Sequence, residues 1–143
     1  MKSLTIKAFF IMITTILASC ATNSKKSNII NINDSYETQI EKIEKGISVS
    51  LKSNPTTGYS WSYKIQEDGI IEMTRQKYIA DVHKEGLAGS GGKETYIFKG
   101  VKAGETKVTF TYARPWKGGE TDGSVSLLFK VDSQGNTSAS YIE

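Results

Sequence analysis

"GISVSLKSNPTTGYSWSYKI", residues 46–65, decides the fold. On either side of "NPTTG" the side chains alternate: Ile47, Val49 and Leu51 share one face, and Tyr59, Trp61, Tyr63 and Ile65 share another. A period of two is the mark of a half-buried strand, whereas an amphipathic helix repeats its apolar residues at about 3.6. Between the two runs Pro55 fixes φ and lacks an N–H, while Gly58 tolerates positive φ, so the stretch predicts a preorganised turn. Two strands joined by a rigid turn are the starting point.

The same alternation recurs downstream. "TYIFKGV", "TKVTFTY" (Val108, Phe110, Tyr112) and "SVSLLFKV" (Val125, Leu127, Phe129, Val131) predict strands, and "IIEMTRQKYIADV" predicts a longer, less regular one. "YETQIEKI" reads as strand in preference to a short helix. Turn chemistry separates these runs at "NPTTG", "EDG", "GLAGSGG", "KAGE" and "KGGETDG". No window keeps a helical stripe for a full helix length, and no internal repeat is present. The expectation is an all-β, immunoglobulin-like antiparallel sandwich of about seven strands. If "ISVSL" is strand B, "YSWSYKI" C, "TYIF" E, "VTFTY" F and "VSLLFKV" G, the B–C, D–E and F–G connections lie at one end of the sandwich.

With 143 residues, 38% of them apolar, the chain has enough material for one core. The formal charge is +3. Lys2 and Lys7 belong to an expected leader, and without them the balance is +1 (3 − 2). Acids and lysines are interleaved elsewhere, so the basic stripe needed by a nucleic-acid binder is missing. "MKSLTIK" followed by "AFFIMITTIL" has the charged start and short apolar run of a secretory signal; a membrane span needs about 20 apolar residues. The run ends in "LASC", residues 17–20, which resembles the lipobox of bacterial lipoproteins, and that resemblance implies cleavage before Cys20 and its lipidation. The expected organisation is a signal peptide at 1–19, lipidated Cys20 and a polar tether over 20–33, one folded domain over 34–133 and a frayed polar tail over 134–143. The expected location is the bacterial cell envelope, with a lipid anchor in a membrane. Cys20 is the only cysteine, so no disulfide can form within one chain and the hydrophobic core must hold the domain.

The three connections carry unusual chemistry. "NPTTG" presents Thr56 and Thr57, whose hydroxyls donate and accept. "GSGG", residues 89–92, nearly lacks side chains, so another surface can approach its backbone. "RPW", residues 114–116, offers two residue types enriched at interface hot spots beside a rigid proline. Each also has a plainer reading: a hairpin turn, a Gly-rich sheet end, or a Trp folded back onto the core.

In order, "NPTTGYSW", "GSGGKETYIFKG" and "KAGETKVTFTYARPW" resemble the chagasin family of cysteine-peptidase inhibitors over roughly residues 47–129. The resemblance implies reversible, tight-binding inhibition of papain-family peptidases by a monomer that lays three loops across the active-site cleft. It places Asn54, Pro55, Thr56, Thr57, Gly58 and Tyr59 in the cleft beside the catalytic thiolate and histidine. Gly89, Ser90, Gly91 and Gly92 would line one side, and Arg114, Pro115 and Trp116 the other. Tyr59 and Trp61 point inward from the loop and are expected to support the core. The contacts of "KGGETDG" stay unassigned. A surface lipoprotein binding a glycan or another protein through the same loops is the alternative.

Enzymatic readings find little support. His83, the only histidine, falls in "ADVHKEG", where a solvated side chain is expected. One histidine and one cysteine form no metal cluster, and no carboxylate spacing suggests a catalytic pair. No cofactor, metal or catalytic residue is expected.

Overall fold

The alternation of apolar residues in the sequence becomes an alternation of burial in space. The computed structural model describes residues 36–81, 91–116 and 118–142. The expected signal peptide, Cys20 and its tether, His83, Gly89 and Ser90 lie outside these described residues. Eight strands follow in order: β1 (Gln39–Ile43), β2 (Gly46–Ser53), β3 (Ser60–Ile65), β4 (Ile71–Ala80), β5 (Gly92–Gly100), β6 (Gly104–Ala113), β7 (Thr121–Val131) and β8 (Thr137–Tyr141). They form two four-stranded sheets, β1-β2-β5-β4 and β3-β6-β7-β8, and every strand pair is antiparallel. The first order is A-B-E-D and the second is C-F-G with β8 added beyond G, which is the immunoglobulin-like arrangement.

The inward faces of the two sheets make the core. Val49, Leu51, Tyr96, Phe98, Val108, Phe110, Leu127 and Phe129 are fully buried. Phe98 of one sheet meets Phe110 and Phe129 of the other with ring centroids 6.0 and 5.1 Å apart. Antibody domains link their sheets by a disulfide between strands B and F. Here hydrogen bonds cross the layers instead: the Trp61 indole N–H donates to the Lys52 carbonyl at 2.8 Å, and the Tyr96 hydroxyl reaches the Trp61 carbonyl at 3.1 Å. Burial, reinforced by the neighbouring Glu94 carboxylate, pushes the Tyr96 phenol far above its ordinary range, so it stays a neutral donor.

One feature departs from the expected plan. The tail expected to fray contains β8, which pairs with β7 from Leu127↔Tyr141 to Val131↔Thr137 and raises the strand number from about seven to eight. Asp132 starts the reversal by accepting from the backbone N–H groups of Gln134 and Asn136, both at 2.8 Å. Inward-facing Thr137 is buried although polar, so the strand carries almost none of the apolar alternation that would announce it. β4 is the longer, less regular strand expected over "IIEMTRQKYIADV": its register against β5 shifts between Met73 and Arg75. A bulge of this kind makes an edge strand irregular and blunts it against further pairing.

Candidate functional site

Strand register brings the three connections together. Ser53 at the end of β2 and Ala80 at the end of β4 both pair with Gly92 at the start of β5. In the other sheet Ala113 at the end of β6 pairs with Ser60 at the start of β3 and with Thr121 at the start of β7. All three connections therefore leave from one end. The B–C loop occupies the centre: Gly91 approaches Ser53 and Asn54 on one side, and Trp116 packs over Gly58 on the other.

The B–C loop is a single 3₁₀ turn, Pro55–Thr57. Asn54 caps it, its side-chain oxygen accepting from the Thr56 hydroxyl at 2.6 Å and from the Thr56 backbone N–H at 3.3 Å. The Thr57 hydroxyl donates to the Asn54 carbonyl at 2.7 Å, and the Gly58 N–H to the Pro55 carbonyl at 3.0 Å. Gly58 closes the turn at φ 81°, a left-handed conformation that suits glycine. From below, the Tyr112 hydroxyl accepts the Asn54 N–H at 2.9 Å. A hydroxyl has one proton to donate, and both threonines spend theirs inside the loop. The exposed tip therefore presents methyl groups and acceptor lone pairs.

On the F–G side the structure separates residues that the sequence grouped. Trp116 is 54% exposed and Pro115 is exposed. Arg114 is partly exposed and lies back against its neighbours: its guanidinium carbon is 5.0 Å from the Tyr59 ring centroid and 5.5 Å from that of Trp116. Its Nε is buried with no hydrogen-bond partner among the described residues, and Nη1 is 3.8 Å from Glu120 Oε2. The same Glu120 oxygen accepts from the Tyr59 hydroxyl at 3.0 Å. This hydrogen bond, more than partial burial, raises the pKa of the Tyr59 phenol. Tyr59 also packs on Tyr112 at 5.4 Å, so it supports the loop as well as the core margin, whereas Trp61 is a buried core residue as expected.

On the D–E side Gly91 and Gly92 have an internal reason to be glycine. A Cβ on Gly91 would lie 3.3 Å from the Ser53 carbonyl oxygen, and one on Gly92 would run into the Ile79 carbonyl and the Tyr78 hydroxyl. Of the connection itself only Asp81 and Gly91 are described, and the Asp81 N–H donates to the Gly91 carbonyl at 3.0 Å. Among the described residues no group of three or more His, Cys, Asp or Glu could hold a metal ion.

Reading the sequence missed Tyr112 as the seat of Asn54, and Glu120 as the link between the B–C and F–G loops. Tyr112 ends an alternating strand and looks like any core residue. Glu120 falls within "KGGETDG", where composition signals a loop and nothing more. The N-terminal Tyr36 is a third supporting residue: it stacks edge-on against Trp61 at 5.0 Å and donates to Asp122 at 3.0 Å.

Comparisons with known proteins give the family of the chain. The family model described as "Chagasin family peptidase inhibitor I42" matches residues 42–131. Amoebiasin-1 of Entamoeba histolytica is 37% identical over 83 residues, covering 58% of this chain and 78% of the relative. Chagasin of Trypanosoma cruzi is 34% identical over 80 residues, covering 53% and 71%. Among solved structures, the cysteine protease inhibitor EhICP2 of Entamoeba histolytica superposes with a TM-score of 0.49 at 26% identity, over 55% of this chain and 71% of that one. The family match takes in β2 to β7 and with them all three connections; the chain belongs to the chagasin family of peptidase inhibitors.

Proposed function

We propose that this protein inhibits papain-family cysteine peptidases reversibly, filling the active-site cleft with the B–C loop and flanking it with the D–E and F–G loops. The observation that carries the reading is the B–C loop itself: exposed, central, and internally bonded from Asn54 to Gly58. A papain-type nucleophile is a thiolate paired with an imidazolium, and it attacks a carbonyl held in an extended substrate. Pro55–Thr57 offers a 3₁₀ turn instead, so the loop fills the cleft while its carbonyls stay out of line. Because its hydroxyl protons are committed inward, the tip suits a surface rich in donors, such as the imidazolium N–H and the oxyanion-hole amides.

The loop's internal bonds also lower the ordering cost of association. A standard interface of roughly 1,600 Å² with Trp116 as anchor is compatible with nanomolar affinity, on the order of −12 kcal/mol. The proposed partner is the peptidase, engaged by one copy of the chain, and a lipid on Cys20 would add a membrane. Tyr36 enters the domain at the loop end, its carbonyl accepting the Lys52 N–H at 2.8 Å. A tether from Cys20 would therefore join the domain beside the inhibitory edge. The mass of the mature protein extracted from its native membrane tests the anchor.

The decisive experiment is a progress curve of papain on a fluorogenic peptide, titrated with soluble protein starting at Ala21. Dose-dependent, reversible inhibition with the inhibitor recovered intact supports the proposal. A folded protein that leaves papain and several relatives untouched at micromolar concentration overturns it.

A further inference from the structure

We infer that Glu120 is a positioning residue for the inhibitory edge, holding Tyr59 of the B–C loop and Arg114 of the F–G loop through one carboxylate oxygen so that Trp116 is presented in a fixed pose. The inference deepens the proposed function and rests on it for its effect on inhibition.

Two observations concern Glu120 itself and two the neighbours that it holds. Glu120 Oε2 accepts from the Tyr59 hydroxyl at 3.0 Å and lies 3.8 Å from Arg114 Nη1. Its backbone carbonyl accepts the Arg114 N–H at 2.9 Å, so the same residue closes the F–G loop at its base. The Arg114 guanidinium stands between the Tyr59 and Trp116 rings. Finally, the loop turns back through the Gly119 N–H, which donates to the Trp116 carbonyl at 2.9 Å, and a Cβ on Gly119 would strike the Arg114 carbonyl.

The cluster is therefore a chain of contacts from one loop to the other: Tyr59 phenol, Glu120 carboxylate, Arg114 guanidinium, Trp116 indole. An exposed ion pair by itself adds little to stability. Its consequence here is geometric. Arg114 has long rotamer freedom, and a guanidinium fixed at one edge presents a flat face on which the indole rests. Without the carboxylate, Arg114 is free to swing out to water, and Trp116 loses its support and must be ordered during binding. The carboxylate acts before the peptidase arrives.

The test compares wild type with Glu120→Ala, Glu120→Gln, Tyr59→Phe and the double variant Glu120→Ala/Tyr59→Phe. Acrylamide quenching of tryptophan fluorescence reports Trp116 selectively, because Trp61 is 4% exposed and Trp116 54%. The Tyr59 ring resonances are followed through alkaline titration, and the association and dissociation rates with papain are measured. Glu120→Ala is expected to increase quenching in the free protein and to bring the Tyr59 titration down toward that of ordinary tyrosine. It should also speed dissociation about fivefold, in line with the loss of one modest, solvent-exposed hydrogen bond. Glu120→Gln keeps an acceptor for Tyr59 without the charge and should fall between Ala and wild type. The double variant should lie closer to Glu120→Ala than to the product of the two single effects.

Unchanged quenching and an unchanged Tyr59 titration in Glu120→Ala would overturn the inference, as would fully additive effects in the double variant. If wild type fails to inhibit papain while Glu120→Ala still alters Trp116 and Tyr59, the positioning role stands and the inhibitor reading falls.

Discussion

The backbone N–H of Asn54 donates to the hydroxyl of Tyr112 at 2.9 Å, joining residues 58 positions apart. Asn54 begins the B–C turn and Tyr112 is the penultimate residue of strand β6, so a bond between them seats the loop of one sheet on the strand of the other. The loop is rigid from within through Asn54, and fixed to the sandwich through Tyr112.

Replacing Tyr112 with Phe removes that acceptor while keeping the ring that packs on Tyr59 and Trp61. Loss of one such hydrogen bond is expected to cost about 1 kcal/mol of stability. Urea denaturation should show that modest loss, and papain inhibition should weaken several-fold. A variant that inhibits as well as wild type would show that the seat is dispensable.

Asn54→Ala goes further, because it deletes the oxygen that accepts from both the Thr56 N–H and the Thr56 hydroxyl. Removing such a cap costs about 1 kcal/mol locally. The expected result is a folded protein that inhibits transiently and is cut within residues 55–58 on long incubation with papain. Mass spectrometry of the incubated mixture decides the matter: an intact Asn54→Ala chain after many turnovers would separate rigidity from resistance to cleavage.

The two tryptophans should behave oppositely. Trp116→Ala removes an exposed ring and is expected to weaken inhibition more than tenfold, as hot-spot truncations do, with little change in melting temperature. Trp61→Ala opens the core beneath Tyr36 and Tyr112 and leaves the Lys52 carbonyl without its donor. A loss of about 3–5 kcal/mol is expected from such a truncation. Thermal melts and inhibition constants measured on both variants give the comparison.

The β7–β8 hairpin should loosen in acid. The side-chain N–H of Asn136, and then its backbone N–H, hold the Asp132 carboxyl below its usual range. A carboxyl depressed in the folded state contributes stability that is present above the unfolded aspartate range, near pH 4, and is lost as pH falls through the lower folded value. Amide exchange of Ser138 and Ser140 should therefore accelerate as pH drops below about 4, after correction for intrinsic rates. Asp132→Asn should remove that dependence; an identical acid profile in the variant would assign the loosening to other groups.

Much of the fold is legible in the sequence. Strands β2, β3, β6 and β7 were announced by strict alternation of large apolar residues, because each has one face on the core. β8 was not, since Thr137, Ala139 and Tyr141 make a weak inward face and the strand depends on pairing with β7. The irregularity of β4 was legible in its weak alternation, whereas the place of its bulge between Met73 and Arg75 was not, since an exposed edge imposes almost no pattern on the side chains. Of the candidate site, the loops and their common end followed from strand count and turn chemistry.

Local chemistry is written in neighbouring residues, so the sequence by itself determined the strand periods, the rigid Pro55 to Gly58 turn and the sandwich class. The direction in which each loop side chain is spent depends on partners far along the chain, and only the tertiary structure decided it. Arg114 reads only as a contact residue until Tyr59 and Glu120 are placed around it and show it as a support as well, and the two threonines read as donors and acceptors until Asn54 takes their protons. A hydrogen bond or a stacked ring is a relation between positions in space, and sequence spacing carries no record of one that spans 61 residues, as between Tyr59 and Glu120.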